Sequence, residues 1–170
     1  MANPTMTLIA SNTVGSGGVS SVTFSSIPQT GYTDLVLKSS MRATGATSGG
    51  FLTFNGSTTG YSEKLLYGTG SVAGSASNSG AGFVWVFETV LSTYTANTFS
   101  NNEIYIPNYT SSNNKSVSAD NVQENNATGS NQYLVAGLWS NTAAITSINI
   151  ASGSSFDQYS TFYLYGISNS

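Results

Sequence analysis

The residues able to do acid–base or ligand chemistry are few. Seven carboxylates, Asp34, Glu63, Glu88, Glu103, Asp120, Glu124 and Asp157, stand beside four cations, Lys38, Arg42, Lys64 and Lys115, in a chain with no histidine and no cysteine. Lack of histidine removes the commonest general base and transition-metal ligand. Lack of cysteine removes disulfides and thiolate metal sites. Glycoside hydrolysis needs two acids placed on either side of a scissile bond, and the spacing selects no pair among the seven. Glu63-Lys64 reads as an ordinary surface pair, and Asp34 as the start of a strand. Asp120 and Glu124, with the amides Asn121, Asn125 and Asn126, offer the oxygen ligands that calcium takes, although the spacing departs from the helix–loop–helix calcium loop. Asx turns account for the same residues without a metal. Serine is plentiful, yet none of Lys38, Lys64 or Lys115 sits in a serine–lysine pattern that would activate it. No glycine stretch ends in the Lys-Ser/Thr of a phosphate loop. The expectation is a chain with no catalytic residue, no metal and no cofactor.

The composition gives those few groups an unusual setting. Charged residues make up 6% of the 170, against about 25% in an ordinary domain. Ser and Thr supply about three residues in ten, and Asn and Gly are abundant. The exterior is therefore hydroxyl- and amide-rich, with little to titrate or to be screened by salt. Four cations and a formal charge of −3 give no basic stripe, so nucleic-acid binding is set aside. No run approaches the eighteen or so apolar residues of a membrane span. The opening MANPTMTLIAS has no basic region or long apolar stretch, so no signal peptide is expected and synthesis is placed in the cytoplasm.

What must position these residues is a set of strands. Apolar residues recur with period two or in short runs, without a convincing period of 3.6. Val22 and Phe24 alternate; DLVLK (34–38) is a short apolar run; FLTF (51–54) meets Asn55-Gly56, the dipeptide of tight hairpins. GFVWVFETV (82–90) reads as a central strand covered on both faces. Ile104 with Ile106, Val117 with Ala119, QYLVAGLWS (132–140), ITSINI (145–150) and STFYLYGI (160–167) complete nine or ten candidates. Gly-, Ser- and Asn-rich clusters between them supply turns. Short helical turns are conceivable at 62–66 or 121–126, and GSVAGSASNSGAG (70–82) reads as a mobile loop. Many short strands with Gly-rich turns predict one domain over 1–170, an all-β antiparallel sandwich. At this length a real core is affordable. Trp85 and Trp139 belong to that core, and most tyrosines bury a ring while keeping the hydroxyl wet.

Three blocks carry a resemblance. TLIASNTVGSGGVSSVTFSSIPQTGYTDLVLKSSMR (7–42), EIYIPNYTSSNNKSVSADNVQENNATG followed by LVAGLWSNTAAITSI (103–148), and the closing STFYLYGI keep their order over more than half the chain. They resemble a family of small structural proteins and terminal domains of tailed bacteriophages, cyanophage-like in type. The resemblance implies a β-sandwich of jelly-roll type, no cofactor and no catalytic residue. It implies a place in the virion, as a head decoration (cement) protein or as part of a fibre or tail tip.

On that footing the expected partners are further copies of the chain, as a homotrimer, and the major capsid protein or other virion proteins. The leading reading is a cement protein stabilising the shell. The alternative is a receptor-binding module recognising host surface glycans, and a glycan-cleaving enzyme comes third. The expected interface lies in the loop after Pro107, 108–129, through Tyr109, Asn113, Asn114, Asn125 and Asn126, with a possible N-terminal arm at 1–14. A charge-poor, amide-rich loop suits packing beside identical copies because like charges never meet.

Overall fold

The computed structural model describes residues 5–46, 49–126 and 129–168. It is all-β, with twelve strands in two antiparallel sheets enclosing one core, and among the described residues there is no helix. None is therefore long and apolar enough to cross a membrane. The strands are β1 Met6–Thr13, β2 Val19–Phe24, β3 Asp34–Met41, β4 Gly50–Phe54, β5 Tyr61–Thr69, β6 Val72–Ala81, β7 Val84–Phe87, β8 Ser100–Ile106, β9 Lys115–Glu124, β10 Ser130–Trp139, β11 Ile148–Phe156 and β12 Thr161–Ile167. The expected antiparallel sandwich is present.

The larger sheet runs β1-β12-β3-β8-β9-β10-β5-β6 and the smaller β2-β11-β4-β7. Setting aside β5, β6, β9 and β10 leaves two four-stranded sheets, β1-β12-β3-β8 and β2-β11-β4-β7, and the chain crosses from one to the other at every step except β4 to β7, which pair within the smaller sheet. The four remaining strands are two hairpins, β5–β6 inserted after β4 and β9–β10 inserted after β8. They meet along β10 and β5 and extend one flank of the larger sheet.

Period-two patterning explains which residues fill the core. Along β9, every second residue from Lys115 to Gln123 is buried and every residue between is exposed; β8 alternates in the same way. Leu35, Leu37, Ile104, Ile106 and Leu164 of the larger sheet face Leu52, Phe54, Ile148 and Ile150 of the smaller. Trp139 lies in this core, stacked on Tyr61 with ring centres 6.0 Å apart. Gly137 permits the close approach of the sheets, and Gly50 makes room for the ring of Phe87 on the neighbouring strand of the smaller sheet. A Cβ on Gly137 would stand 2.5 Å from Val84 Cγ1, and one on Gly50 would overlap the Phe87 ring.

Several expectations are corrected. The segment 82–90 is an edge strand, β7, and not a central one. It is still covered, because it packs over β5, β9 and β10, and Trp85 is only half-buried, edge-on to Tyr133 at 4.9 Å. Asn55-Gly56 does turn the chain, with φ of 53° and 67° and the Ser57 N–H donating to the Phe54 carbonyl at 2.9 Å. It does not make a hairpin, because β4 and β5 belong to different sheets. Asn55 redirects the chain by reaching sideways: its Oδ1 accepts from the Thr146 and Ser147 N–H groups at 2.8 and 3.1 Å, and its Nδ2 donates to Ala144 at 2.8 Å. Neither 62–66 nor 121–126 forms a helical turn; both lie in or against strands β5 and β9. The supposed mobile loop at 70–82 is mostly strand β6. The supposed N-terminal arm is mostly strand β1, paired with β12, and residues 1–4 lie outside the described residues.

Candidate functional site: the open face of the larger sheet

The smaller sheet covers one face of the larger. The opposite face of β3-β8-β9-β10-β5-β6 is open and forms a concavity of about 1000 Å³. Strand registers fix what stands on its floor. In one row Lys38 is opposite Glu103, Glu103 opposite Asp120, Asp120 opposite Leu134, Leu134 opposite Leu66 and Leu66 opposite Ser75.

The floor has an apolar half and a charged half. Leu66, Leu134 and Val122 are 60%, 47% and 41% exposed, and Tyr105 is 37% exposed. Leu134 and Leu66 face each other directly, and Val122 is opposite Gln132, two residues from Leu134. Toward β3, Lys38 Nζ meets Glu103 Oε2 at 2.7 Å. Tyr105 is fixed at the rim by its hydroxyl, which donates to Asp34 Oδ2 at 2.6 Å. That bond to a carboxylate raises the Tyr105 pKa, helped by burial and by the Asp34 charge.

Spacing alone picks no pair of acids, but the fold does: Glu103 and Asp120 are cross-strand neighbours on this floor. They rise side by side from one surface, with Glu103 already held by Lys38. Glycoside hydrolysis instead places its two carboxyls around the bond to be cut. Side by side, the two acids present adjacent acceptors to whatever lies across the floor.

The opposite face of the same strands is locked by amides. Asn121 Oδ1 accepts from the Glu88 N–H at 3.1 Å, and Asn121 Nδ2 donates to the Glu88 carbonyl and to Asn102 Oδ1. Asn102 Nδ2 donates to the Ser39 carbonyl at 3.3 Å, and Gln123 Nε2 donates to the Thr89 carbonyl at 2.5 Å. Arg42 ties down the segment that follows, donating to the carbonyls of Ser92, Tyr94, Thr95 and Thr98 at 2.8–3.3 Å. The floor therefore rests on a rigid backing. Asn121 is buried there, whereas Asp120 and Glu124 point the other way, so the oxygen ligands suggested for calcium do not converge. Among the described residues no three acidic, histidine or cysteine side chains gather into a metal-binding group.

The expected interface residues are dispersed. Tyr109 is fully buried, and its hydroxyl donates to the Pro28 carbonyl; burial raises its pKa, with a smaller contribution from Tyr32. It is an internal post of the sandwich and has no surface to offer. Asn113 and Asn114 are exposed just before β9, on a turn whose Ser111 and Asn113 carbonyls accept from the buried Lys115 ammonium at 2.7 and 2.5 Å. Asn125 and Asn126 lie beyond the far end of β9, roughly 35 Å away along the strand. The segment 108–129 is not one loop, because β9 occupies its middle; Ala127 and Thr128 lie outside the described residues. Leu66, Leu134 and Val122 carry no motif. Their one sequence signal is parity: each is apolar at a position that alternates away from the core.

Compared with known proteins, the chain matches no protein family, no curated protein and no solved structure.

Proposed function

We propose that this chain is a non-enzymatic structural protein of a tailed-bacteriophage particle. It decorates the head and docks the open face of its larger sheet on the major capsid protein, working as a homo-oligomer that clamps the shell. One observation carries the reading: the exposed apolar patch of Leu66, Leu134 and Val122 forms one half of the floor of an open concavity on a rigid backing. Monomeric proteins seldom leave a contiguous apolar patch uncovered unless it binds something, and interfaces bind through such an apolar centre with a polar rim. Lys38, Glu103, Asp120, Lys64 and the serines of β6 supply that rim. The strand orders β1-β12-β3-β8 and β2-β11-β4-β7 support assigning the sandwich to the jelly-roll class that the resemblance implies. On that assignment the docking face is built largely by the two inserted hairpins. Function grafted onto a common fold by insertion is an ordinary arrangement.

The test is reassembly. Heads from a phage lacking this gene product are mixed with purified protein and separated by density sedimentation. Wild-type protein is expected to travel with the heads. The double variant Leu66→Asp/Leu134→Asp, with its melting temperature retained, is expected to stay behind with affinity reduced by at least about a hundredfold, the loss of two central anchors. Equal binding by both proteins, or no binding by either, overturns the proposal.

A second reading rests on the charged half of the floor. Glu103 and Asp120 side by side, with Asn101 and the Tyr105 ring nearby, form the acceptor-and-aromatic set that grips sugar hydroxyls and ring faces. A receptor-binding module for host glycans would use that half. Saturable binding on a glycan array, lost in Asp120→Asn but kept in the leucine variant, would favour it over head decoration.

A further inference from the structure

The open edge of the larger sheet at β6 carries a second inference, independent of what covers the face. Among the described residues no strand pairs beyond either end of this sheet, but the two ends are not alike. At β1 the ladder with β12 is broken by a shift between Leu8 and Ala10, the kind of bulge that spoils an edge for further pairing. At β6 the register with β5 is unbroken from Ser79 back to Val72, and its single shift falls at the end, beside Gly80 with φ of 70°.

β6 also lacks the other usual protections. Its ten residues, VAGSASNSGA, include no charge and no proline. Among the described residues it pairs on one side only, with β5, so the backbone groups on its other side point outward. Val72 at its start is 55% exposed. A long strand without charge, proline or internal bulge is a ready template for another strand.

We propose that the strand it accepts is its own copy: two chains join β6 to β6, antiparallel across a two-fold axis, so that the two larger sheets become one. Self-pairing requires a strand that tolerates its own side chains opposite itself, and β6 qualifies because no like charges are brought together. The nearest cation in line is Lys64 on β5, opposite Ser77. Across the pair the two Lys64 residues stand three strand spacings apart, about 14 Å, beyond the screening length of physiological salt. Ser75 and Ser77 already line the concavity, so the joined sheets place two docking floors side by side. A two-fold dimer differs from the trimer expected from the resemblance, and mass separates the two.

The experiment uses the full chain. Sedimentation equilibrium of wild-type protein over a wide concentration range should show a monomer–dimer equilibrium. Ser75→Lys/Ser77→Lys places like charges across the axis and should raise the dimer dissociation constant about tenfold or more; Ser75→Glu/Ser77→Glu should do the same. At dilutions where the wild type is monomeric, both variants should keep its melting temperature, since their side chains are exposed in the monomer. Mixing the lysine and glutamate variants should restore a dimer containing one of each, which a misfolded variant would fail to do. A wild-type protein that is monomeric throughout, or trimeric, overturns the proposal. So does a lysine variant that dimerises as tightly as wild type, or a mixture that stays monomeric.

Discussion

Glu63 is an acid in a place that suits a neutral group. It is 4% exposed. It accepts hydrogen bonds from the Asn78 side chain and the Trp85 backbone, while burial, the larger influence, raises its pKa; Oε2 has no partner. A carboxyl whose folded pKa lies above its unfolded value favours the protonated folded form. Its contribution is complete below the ordinary value of 4.5 and is lost as pH rises through the folded value. Glu63→Gln should therefore stabilise the protein at neutral pH, by on the order of 1 kcal/mol, and leave it little changed in acid. Urea unfolding at two pH values measures this, and a destabilised variant at neutral pH would show that the charge is needed. The adjacent pair Glu63-Lys64 looks like a surface pair in the sequence because neighbours in a chain suggest neighbours in space. In a strand they point to opposite faces, so the error began with the strand itself: YSEKLLYGT mixes charge with aliphatics and gives no clean alternation. Tyr109 misleads for a similar reason, since a tyrosine after a proline and among asparagines reads as surface until the fold wraps around it.

Among the elements, those with alternation or an apolar run were legible, the inserted β9 and β10 included, and β1, β5 and β6 were not. The runs at 34–38, 51–54 and 104–106 each lie within a strand, and 160–167 overlaps β12 but for its first residue. β6 was missed because its Ala, Gly, Ser and Asn carry no hydrophobic period; its partner, and not its side chains, makes it a strand. The amide backing was missed as well, although it left a trace: Asn102, Asn121 and Gln123 fall on the parity of Ile104, Val117 and Ala119. An amide at core parity announces a buried hydrogen bond. The segment from Glu88 to Phe99 depends on that backing and on Arg42, which is 7% exposed and also lies 3.7 Å from Asp157. Arg42→Ala removes a donor from four carbonyls, of which Thr95 keeps the Thr98 hydroxyl, and should cost about 3 kcal/mol, with faster hydrogen exchange concentrated in 91–99. Arg42→Lys, with one compact ammonium in place of a fork, should recover only part of the loss. Unchanged exchange in that segment would show it is held by something else.

For the whole molecule, the scarcity of charge has a direct thermodynamic reading. Among the described residues there are two ion pairs, and the closer one, Lys38–Glu103, is about half exposed at both ends. Exposed pairs contribute little and are the part that salt weakens. The melting temperature should therefore shift by less than roughly 3 °C between low and high sodium chloride; a large drop would mean that electrostatics carry the fold. The sandwich class was legible from period and turn composition, because both follow from local chemistry. The extended flank was not, since it arises from two distant insertions finding each other. That flank is a series of dependencies: β6 leans on β5, β5 on β10, β10 on β9 and β9 on β8. Losing the β5–β6 segment would merely move the rim inward to β10. Losing β9–β10 would leave the earlier hairpin with no bonded neighbour, so inheritance can shorten this protein from one side only.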